Sequence, residues 1–322
     1  MSTPASPAPR VAAVIATYQR PEELARLLDN LAHSEVPAAG GVFVADNAAA
    51  DETREVCSAS PLECRWLALK ENRGPGAAWN HGIRAALSTP AVTHVLVLDD
   101  DAVLRPGLIG ILLAALGPHG AAAPLLFDQG GQLWGFPEPT EPALRKVIRR
   151  THTEAECRTS LGSTPHSFCW ATGACMLYTR AAFERCGFFR EDFWMLGEDL
   201  DLSMRVAAAL GGVFTAQAAV PHLPPEGPRG LAAQVSHRLK FLALLQNLSF
   251  LAFHAPDRAH LRSYLAGNFK RYLRTEGLTP GNLLEAGSAF VLGALRKQPA
   301  GTPGGTRLRE RVRRRLTRDQ PE

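Results

Sequence analysis

The chain is predicted to fold as an α/β protein with a doubly wound, mostly parallel sheet flanked by helices. Three observations carry this expectation. Short apolar runs recur through about the first hundred residues, helical patterns separate them, and polar residues stand where the runs end.

Residues 11–16, Val-Ala-Ala-Val-Ile-Ala, are apolar throughout, the pattern of a strand covered on both faces. A helix follows. Pro21 suits a first helical position and Glu22 and Glu23 suit the positive end of the dipole, while Leu24, Leu27, Leu28 and Leu31 recur at i, i+3, i+4 and i+7. The unit repeats as strand 41–45, helix 51–57, strand 64–69, helix 74–87 and strand 93–98. Ligands of such sheets bind outside the carboxyl ends of the strands, where Thr17, Asp46, Asn72 and the triplet Asp99-Asp100-Asp101 all fall.

The triplet is the most informative of these. On an extended backbone Asp99 and Asp101 share a face and converge on one point, while Asp100 turns away. Adjacent carboxylates repel unless a cation sits between them, and oxygen ligands suit Mg²⁺ or Mn²⁺ bound together with a diphosphate. The plainer alternative is a solvated acidic turn. Asp46-Asn47 likewise reads as a turn or cap as well as a ligand contact. Asn72-Arg73-Gly74-Pro75-Gly76 is a bend whose backbone N–H groups, ahead of a helix, suit an anion.

Further along, residues 127–164 read as an irregular excursion or β-hairpin, with the basic run at 145–150 as a solvated face. Residues 168–178 form an apolar strand, with Gly173 allowing close backbone approach, and 180–186 a short helix. Gly197 precedes a helix with Leu200 and Met204 on one face, which puts Glu198 and Asp199 in its first turn. Acids there complement the helix dipole, and they also supply a second acidic site apart from the triplet. Asp201 and Arg205, four apart, pair on the helix surface or brace the site. Residues 213–216 form a strand, His222 lies in an extended segment, and 231–254 and 256–274 are two helices. Arg262, Lys270, Arg271 and Arg274 give the second of them a basic side.

Bulk composition narrows the class. The chain has 322 residues, 46% hydrophobic and 20% charged, which excludes disordered and fibrous chains. A net charge of +4 is too small to argue for nucleic acid as a partner. The six cysteines form no C-x-x-C pair and read as reduced thiols of a cytoplasmic protein. Residues 1–10 lack an apolar signal segment and read as a flexible leader, and the longest apolar stretch, 241–253, is too short and too polar to span a bilayer. Residues 298–306 form a linker to a strongly basic tail at 299–322, which reads as a solvated tail or, as the sharper alternative, as a peripheral contact with the cytoplasmic membrane face.

The runs Val14-Ile15-Ala16-Thr17-Tyr18-Gln19-Arg20-Pro21, Val44-Ala45-Asp46-Asn47, Glu71-Asn72-Arg73-Gly74-Pro75-Gly76-Ala77-Ala78-Trp79-Asn80 and Leu98-Asp99-Asp100-Asp101 resemble the successive motifs of family 2 inverting glycosyltransferases, of rhamnosyl- and galactofuranosyltransferase type. The resemblance implies a GT-A fold at 11–228, with a nucleotide-binding half at 11–101 and an acceptor half at 102–228. A helical region at 229–298 would follow. It further implies donor contacts from Thr17, Arg20, Asp46, Asn72, Gly74, Asn80, Asp99 and Asp100, and a Mn²⁺ or Mg²⁺ ion on Asp99, Asp101 and His222. Asp199 would be the general base, with Glu198 orienting the acceptor. The implied partners are a UDP- or dTDP-sugar and a glycan, lipid-linked or small-molecule acceptor. Ala48-Ala49-Ala50 stands where the family often carries a hydroxyl, which leaves both nucleotides open. The competing readings are a sugar-1-phosphate nucleotidylyltransferase, whose glycine-rich loop Ala16-Thr17-Tyr18-Gln19-Arg20 does not match, and a non-catalytic sugar-nucleotide-binding protein.

Overall fold

The computed structural model describes residues 8–34, 39–223, 237–254 and 258–295. Its first part is β1 (Val11–Thr17), α1 (Pro21–Ala32), β2 (Val42–Asp46), α2 (Asp51–Ala59), β3 (Cys64–Ala68), α3 (Pro75–Leu87) and β4 (His94–Asp99), the alternation expected. β1 is buried along its whole length because its two faces serve different layers. Val11, Ala13 and Ile15 meet the leucines of α1, whereas Ala12, Val14 and Ala16 join the core under Trp79 and Ile83 of α3.

The chain continues through α4 (Leu108–Leu116), β5 (Ala121–Phe127), β6 (Leu133–Gly135), β7 (Glu138–Pro139), α5 (Pro142–Ile148) and α6 (Glu154–Leu161). A hairpin of β5 with β6 is present, but the rest of the expected excursion is two short helices. The second of these had a legible start, since Thr153 and Glu156 form a reciprocal capping box. Arg145 of the basic run is not solvated, because it pairs with the buried Glu138. Next come β8 (His166–Trp170), β9 (Cys175–Thr179), α7 (Arg180–Cys186), a 3-10 turn at Glu191–Phe193, α8 (Glu198–Leu210) and β10 (Gly212–Pro221). The single strand expected at 168–178 is thus two strands in different places of the sheet. They are divided at Ala171-Thr172-Gly173-Ala174, where Ala174 takes a φ of 113°. The strand expected at 213–216 continues to Pro221, because β5 offers a parallel partner as far as Phe127.

Among the described residues the sheet runs β3-β2-β1-β4-β9-β5-β10-β8-β7. β3, β2, β1 and β4 are parallel, and β9 is antiparallel to both β4 and β5. The strand order reverses between β1 and β4, where doubly wound sheets open a crevice. Their register pairs Ala16 with Asp99, so Thr17 and the aspartate triplet emerge side by side. Three helices follow, α9 (His237–His254), α10 (Arg258–Glu276) and α11 (Pro280–Ala294), the last beyond the two expected. They share a core with α8 and β8 through Trp170, Leu200, Met204, Leu245 and Phe250. None of the six cysteines is in a disulfide, and among the described residues no helix is long and apolar enough to cross a membrane. The expected leader lies mostly outside the described residues, although Arg10 N donates to Thr93 Oγ1 at 2.8 Å. The 228/229 boundary and the tail at 299–322 lie outside them.

Candidate active site

β4 ends at Asp99, and a turn closed by Ala102 N on Asp99 O carries the next two residues. A turn, rather than the extended backbone expected, therefore brings Asp101 beside Asp99. His222 arrives from the end of β10, positioned by its N–H to Phe127 O and by a bridge to Ala102. Its Nε2 lies 2.9 Å from Asp101 Oδ1 and 3.8 Å from Asp99 Oδ2. One ligand atom from each of Asp99, Asp101 and His222 lies within 4.8 Å of the others. Asp101 Oδ1 is buried, and His222 Nε2 is its ion-pair partner among the described residues. Two carboxylates and an imidazole this close together suit a divalent cation. Burial and the adjacent Asp101 push the Asp99 carboxyl up to about 7 against the pull of His222, although its side chain stays 32% exposed and solvent moderates the effect. Burial also acts to raise Asp101, but His222 and Arg20 outweigh it and hold this carboxyl below its usual range.

Asp100 does turn away from this point, into the protein. Its Oδ2 accepts from Thr17 Oγ1 at 2.7 Å and its Oδ1 from Arg20 Nη1 at 3.0 Å; the same Nη1 reaches Asp101 Oδ2 at 2.8 Å. Burial pushes Asp100 up to about 6, with Arg20 and Thr17 opposing. Thr17, Arg20 and Asp100, three of the residues expected at the donor, also brace the turn that carries Asp101.

Four other residues expected at the donor, Asp46, Asn72, Gly74 and Asn80, all have partners or close packing within the protein. The Asp46 carboxylate is fully buried and accepts Ala48 N and Ala50 N, each at 2.8 Å, and Trp66 Nε1 at 3.2 Å. It shapes its own loop, as the turn reading has it, because the backbone N–H groups after β2 would otherwise lack partners. Two amides of the bend at Gly74 are taken up within the protein, Arg73 N donating to Asn47 Oδ1 and Gly74 N to Asn72 Oδ1. Gly74 holds a φ of 84°, and a Cβ there would sit 1.8 Å from Trp194 O, so glycine is required by close packing. Asn72 keeps a buried Nδ2 without a partner. Asn80 is 1% exposed, and its amide both donates to Phe189 O and accepts Phe189 N, each at 2.9 Å. It clamps the loop at Phe189. Asn80→Ala is therefore expected to lower stability by about 2 kcal/mol through unmet buried groups, read by urea unfolding, with nucleotide-sugar binding unchanged.

The second acidic site is tied to the first by one short segment. Asp199 Oδ2 accepts Gly173 N, its Oδ1 accepts Leu200 N at 2.8 Å, and the next residue, Ala174, accepts Asp99 N at 2.9 Å. Ser203 holds the start of the same segment by exchanging hydrogen bonds with Ala171. Each Asp199 oxygen still has a lone pair to offer. Burial raises its pKa although backbone N–H groups oppose, so it binds a proton more tightly than an ordinary aspartate. Glu198 lies beside Gly76 of α3 with Oε2 buried and unpartnered. Burial, then Asp199, then Asp99 drive its carboxyl well above the usual range, with only a backbone N–H opposing. Folding consequently takes up a proton at Glu198, and stability falls as pH climbs from the ordinary glutamate range through the raised value. Glu198→Gln should flatten that slope in urea titrations at several pH values; an unchanged slope would contradict the assignment. Asp201 and Arg205 pair at 2.6 Å, and Arg205 also binds Phe188 O, so the pair braces the neighbouring loop.

Two residues of this neighbourhood escaped the sequence reading. Asn247 of α9 donates from Nδ2 to Phe193 O, Met195 O and Leu196 O, holding the segment that leads into Glu198. That segment needs holding, because Trp194, Leu196 and Gly197 have φ of 43°, 67° and 96°. An amide inside an apolar helix was its signal. Trp134 of β6 stacks on His222 with ring centroids 4.6 Å apart and stays 55% exposed; nothing local to its sequence links it to His222.

A mostly parallel α/β sheet with flanking helices, and at its crossover Asp99, Asp101 and His222, which could hold a metal ion, is in keeping with a GT-A glycosyltransferase. The family model described as "Glycosyltransferase like family 2" matches residues 8–240, and the chain belongs to this family. It is similar to the N-acetylglucosaminyl-diphospho-decaprenol L-rhamnosyltransferase of Mycobacterium tuberculosis, 30% identical over 216 residues, which cover 61% of this chain and 70% of that protein. It is also 34% identical over 115 residues to the succinoglycan biosynthesis protein ExoO of Rhizobium meliloti, covering 35% of this chain and 31% of ExoO. Among solved structures, S. aureus TarS 1-349 in complex with UDP-GlcNAc has a TM-score of 0.60 at 16% identity, covering 88% of this chain and 81% of that one. GalNAc-T7 with UDP, GalNAc and Mn²⁺ has a TM-score of 0.54 at 14% identity, covering 82% and 56%. These likenesses show the fold. The family assignment sets the nucleotidylyltransferase and non-catalytic readings aside.

Proposed function

We propose that the enzyme transfers a sugar, with inversion, from a UDP- or dTDP-sugar to a hydroxyl of a lipid-linked glycan acceptor in cell-envelope polysaccharide synthesis. The observation that carries this is the direct tie between Asp99 and Asp199 through Gly173 and Ala174, which sets a cation site and a proton-accepting carboxylate at a fixed separation. Inverting transfer needs both at once. The name of the M. tuberculosis relative supports the lipid-linked acceptor.

Asp99, Asp101 and His222 would hold Mn²⁺ or Mg²⁺, which when bound offsets the charge developing on the departing diphosphate. Arg20 and Thr17 keep Asp101 in place by fixing Asp100. Asp199 takes the proton of the acceptor hydroxyl as its oxygen attacks the anomeric carbon. Glu198, buried and protonated to higher pH than usual, orients that hydroxyl without competing for its proton. A thermal-shift screen of UDP- and dTDP-sugars with and without Mn²⁺ or Mg²⁺ tests the reading, because a ligand that binds only the native state raises its melting temperature. Metal-dependent stabilisation by one nucleotide class is expected. No shift with any donor and metal would sink it.

A further inference from the structure

We propose that the outer face of α11 is a membrane-docking surface for an anionic lipid bilayer. Leu283, Leu284, Val291, Leu292 and Leu295 are all exposed, Leu284 at 73% and Leu295 at 75%, and at about 100° per residue they share one side of the helix. Leu278, just before the helix, is exposed as well. Only Gly287 and Ser288 interrupt this side, and it carries no charge. The helix has one charged residue, Glu285, and it lies on the flank in a 2.7 Å pair with Arg238 of α9.

The opposite side is locked to α9. A Cβ at Gly293 would stand 2.1 Å from Gln246 O, and Ser249 Oγ donates to Phe290 O at 2.7 Å. Rotation cannot hide the leucines, and a contiguous exposed apolar face of this kind marks an interaction site.

The sequence that follows identifies the occupant. Arg296 and Lys297 come directly after the apolar face, and residues 307–318 contain seven arginines against one glutamate. An apolar face continued by dense positive charge matches a bilayer whose interior takes the leucines and whose anionic headgroups take the arginines. A second copy is a poorer occupant. In a two-fold dimer the same patch meets itself, so both arginine-rich segments would be brought together and repel.

The placement serves the site. α9 contacts α11 through Gln246 and Ser249 and, through the intervening Asn247, holds the 193–196 segment that precedes Glu198 and Asp199. One helix layer, about 8–10 Å between axes, therefore separates the docking face from the segment entering the acidic pair. Seated on the bilayer, the enzyme would meet an acceptor whose sugar stands on a membrane-anchored lipid; this part rests on the function proposed above, whereas the docking face does not.

The test is co-sedimentation of the full-length protein with phosphatidylcholine vesicles, with and without phosphatidylglycerol. Wild type should partition onto the anionic vesicles and be released by high salt. The full-length variant L284Q/V291Q/L295Q should lose roughly a hundredfold in partition, by removal of three interfacial side chains, with unchanged melting temperature and unchanged stabilisation by nucleotide-sugar. Wild type remaining in the supernatant, or equal partition of wild type and variant, would overturn the proposal. So would light scattering that finds a wild-type dimer, split by the variant, with neither form on vesicles. Failure of the donor thermal shift alongside retained vesicle binding would remove the function reading and leave the docking face in place.

Discussion

Asp199→Asn is expected to abolish transfer, lowering turnover by about 10²- to 10⁴-fold, the usual contribution of a positioned base. Donor stabilisation in a thermal-shift assay should survive, because the cation cluster is made by other residues. The substitution removes the proton acceptor but keeps an oxygen for Gly173 N. Loss in turnover with little change in donor KM is the signature of an interaction made in the transition state. The pH profile adds an independent check. Burial raises the Asp199 pKa, so wild-type turnover should fall with decreasing pH at a higher value than an ordinary aspartate allows. Unaffected turnover in Asp199→Asn would move the base elsewhere, with Glu198 the adjacent carboxylate to examine.

Asp101→Asn is expected to have the second largest effect, a loss on the order of a hundredfold or more in metal-dependent donor stabilisation and in turnover. Asp101 is the hub of the cluster, in contact with His222 Nε2 at 2.9 Å and Arg20 Nη1 at 2.8 Å. An amide retains one acceptor oxygen but loses the charge that attracts a cation and offsets the neighbouring arginine. Chelation of wild type should reproduce the variant's turnover, and chelation of the variant should change little further. A variant still fully responsive to Mn²⁺ would place the ion away from Asp101.

Much of the nucleotide half was legible because its signals are local. An all-apolar run of six residues opening β1, leucines at helical spacing in α1, and polar residues at the strand ends each follow from a backbone period, and the structure keeps them in place. The i, i+4 pair of Asp201 and Arg205 was readable for the same reason. Short elements fared worse. α5 and α6 are too brief for periodicity to declare them, and only the capping box at Thr153 marked one of them. The run at 168–178 looked continuous because both of its strands are apolar; the break is set by Asp199 and Ser203 reaching in from α8, far along the chain.

The chain's pattern of apolar runs, and the acids at Asp99 to Asp101 and Glu198-Asp199, were enough to predict the fold class and two separate groups of candidate carboxylates. Such features depend on residue type and near spacing. Which protein groups each polar residue meets was decided by packing. Asp46, Asn80 and Asp100 turn inward to satisfy backbone groups or an arginine, His222 and Trp134 reach the rim from separate strands, and Asn247 holds the strained entry to α8. A buried polar group must find its partner in three dimensions, and for Asp100 and Asn80 that partner is 80 and 109 residues away.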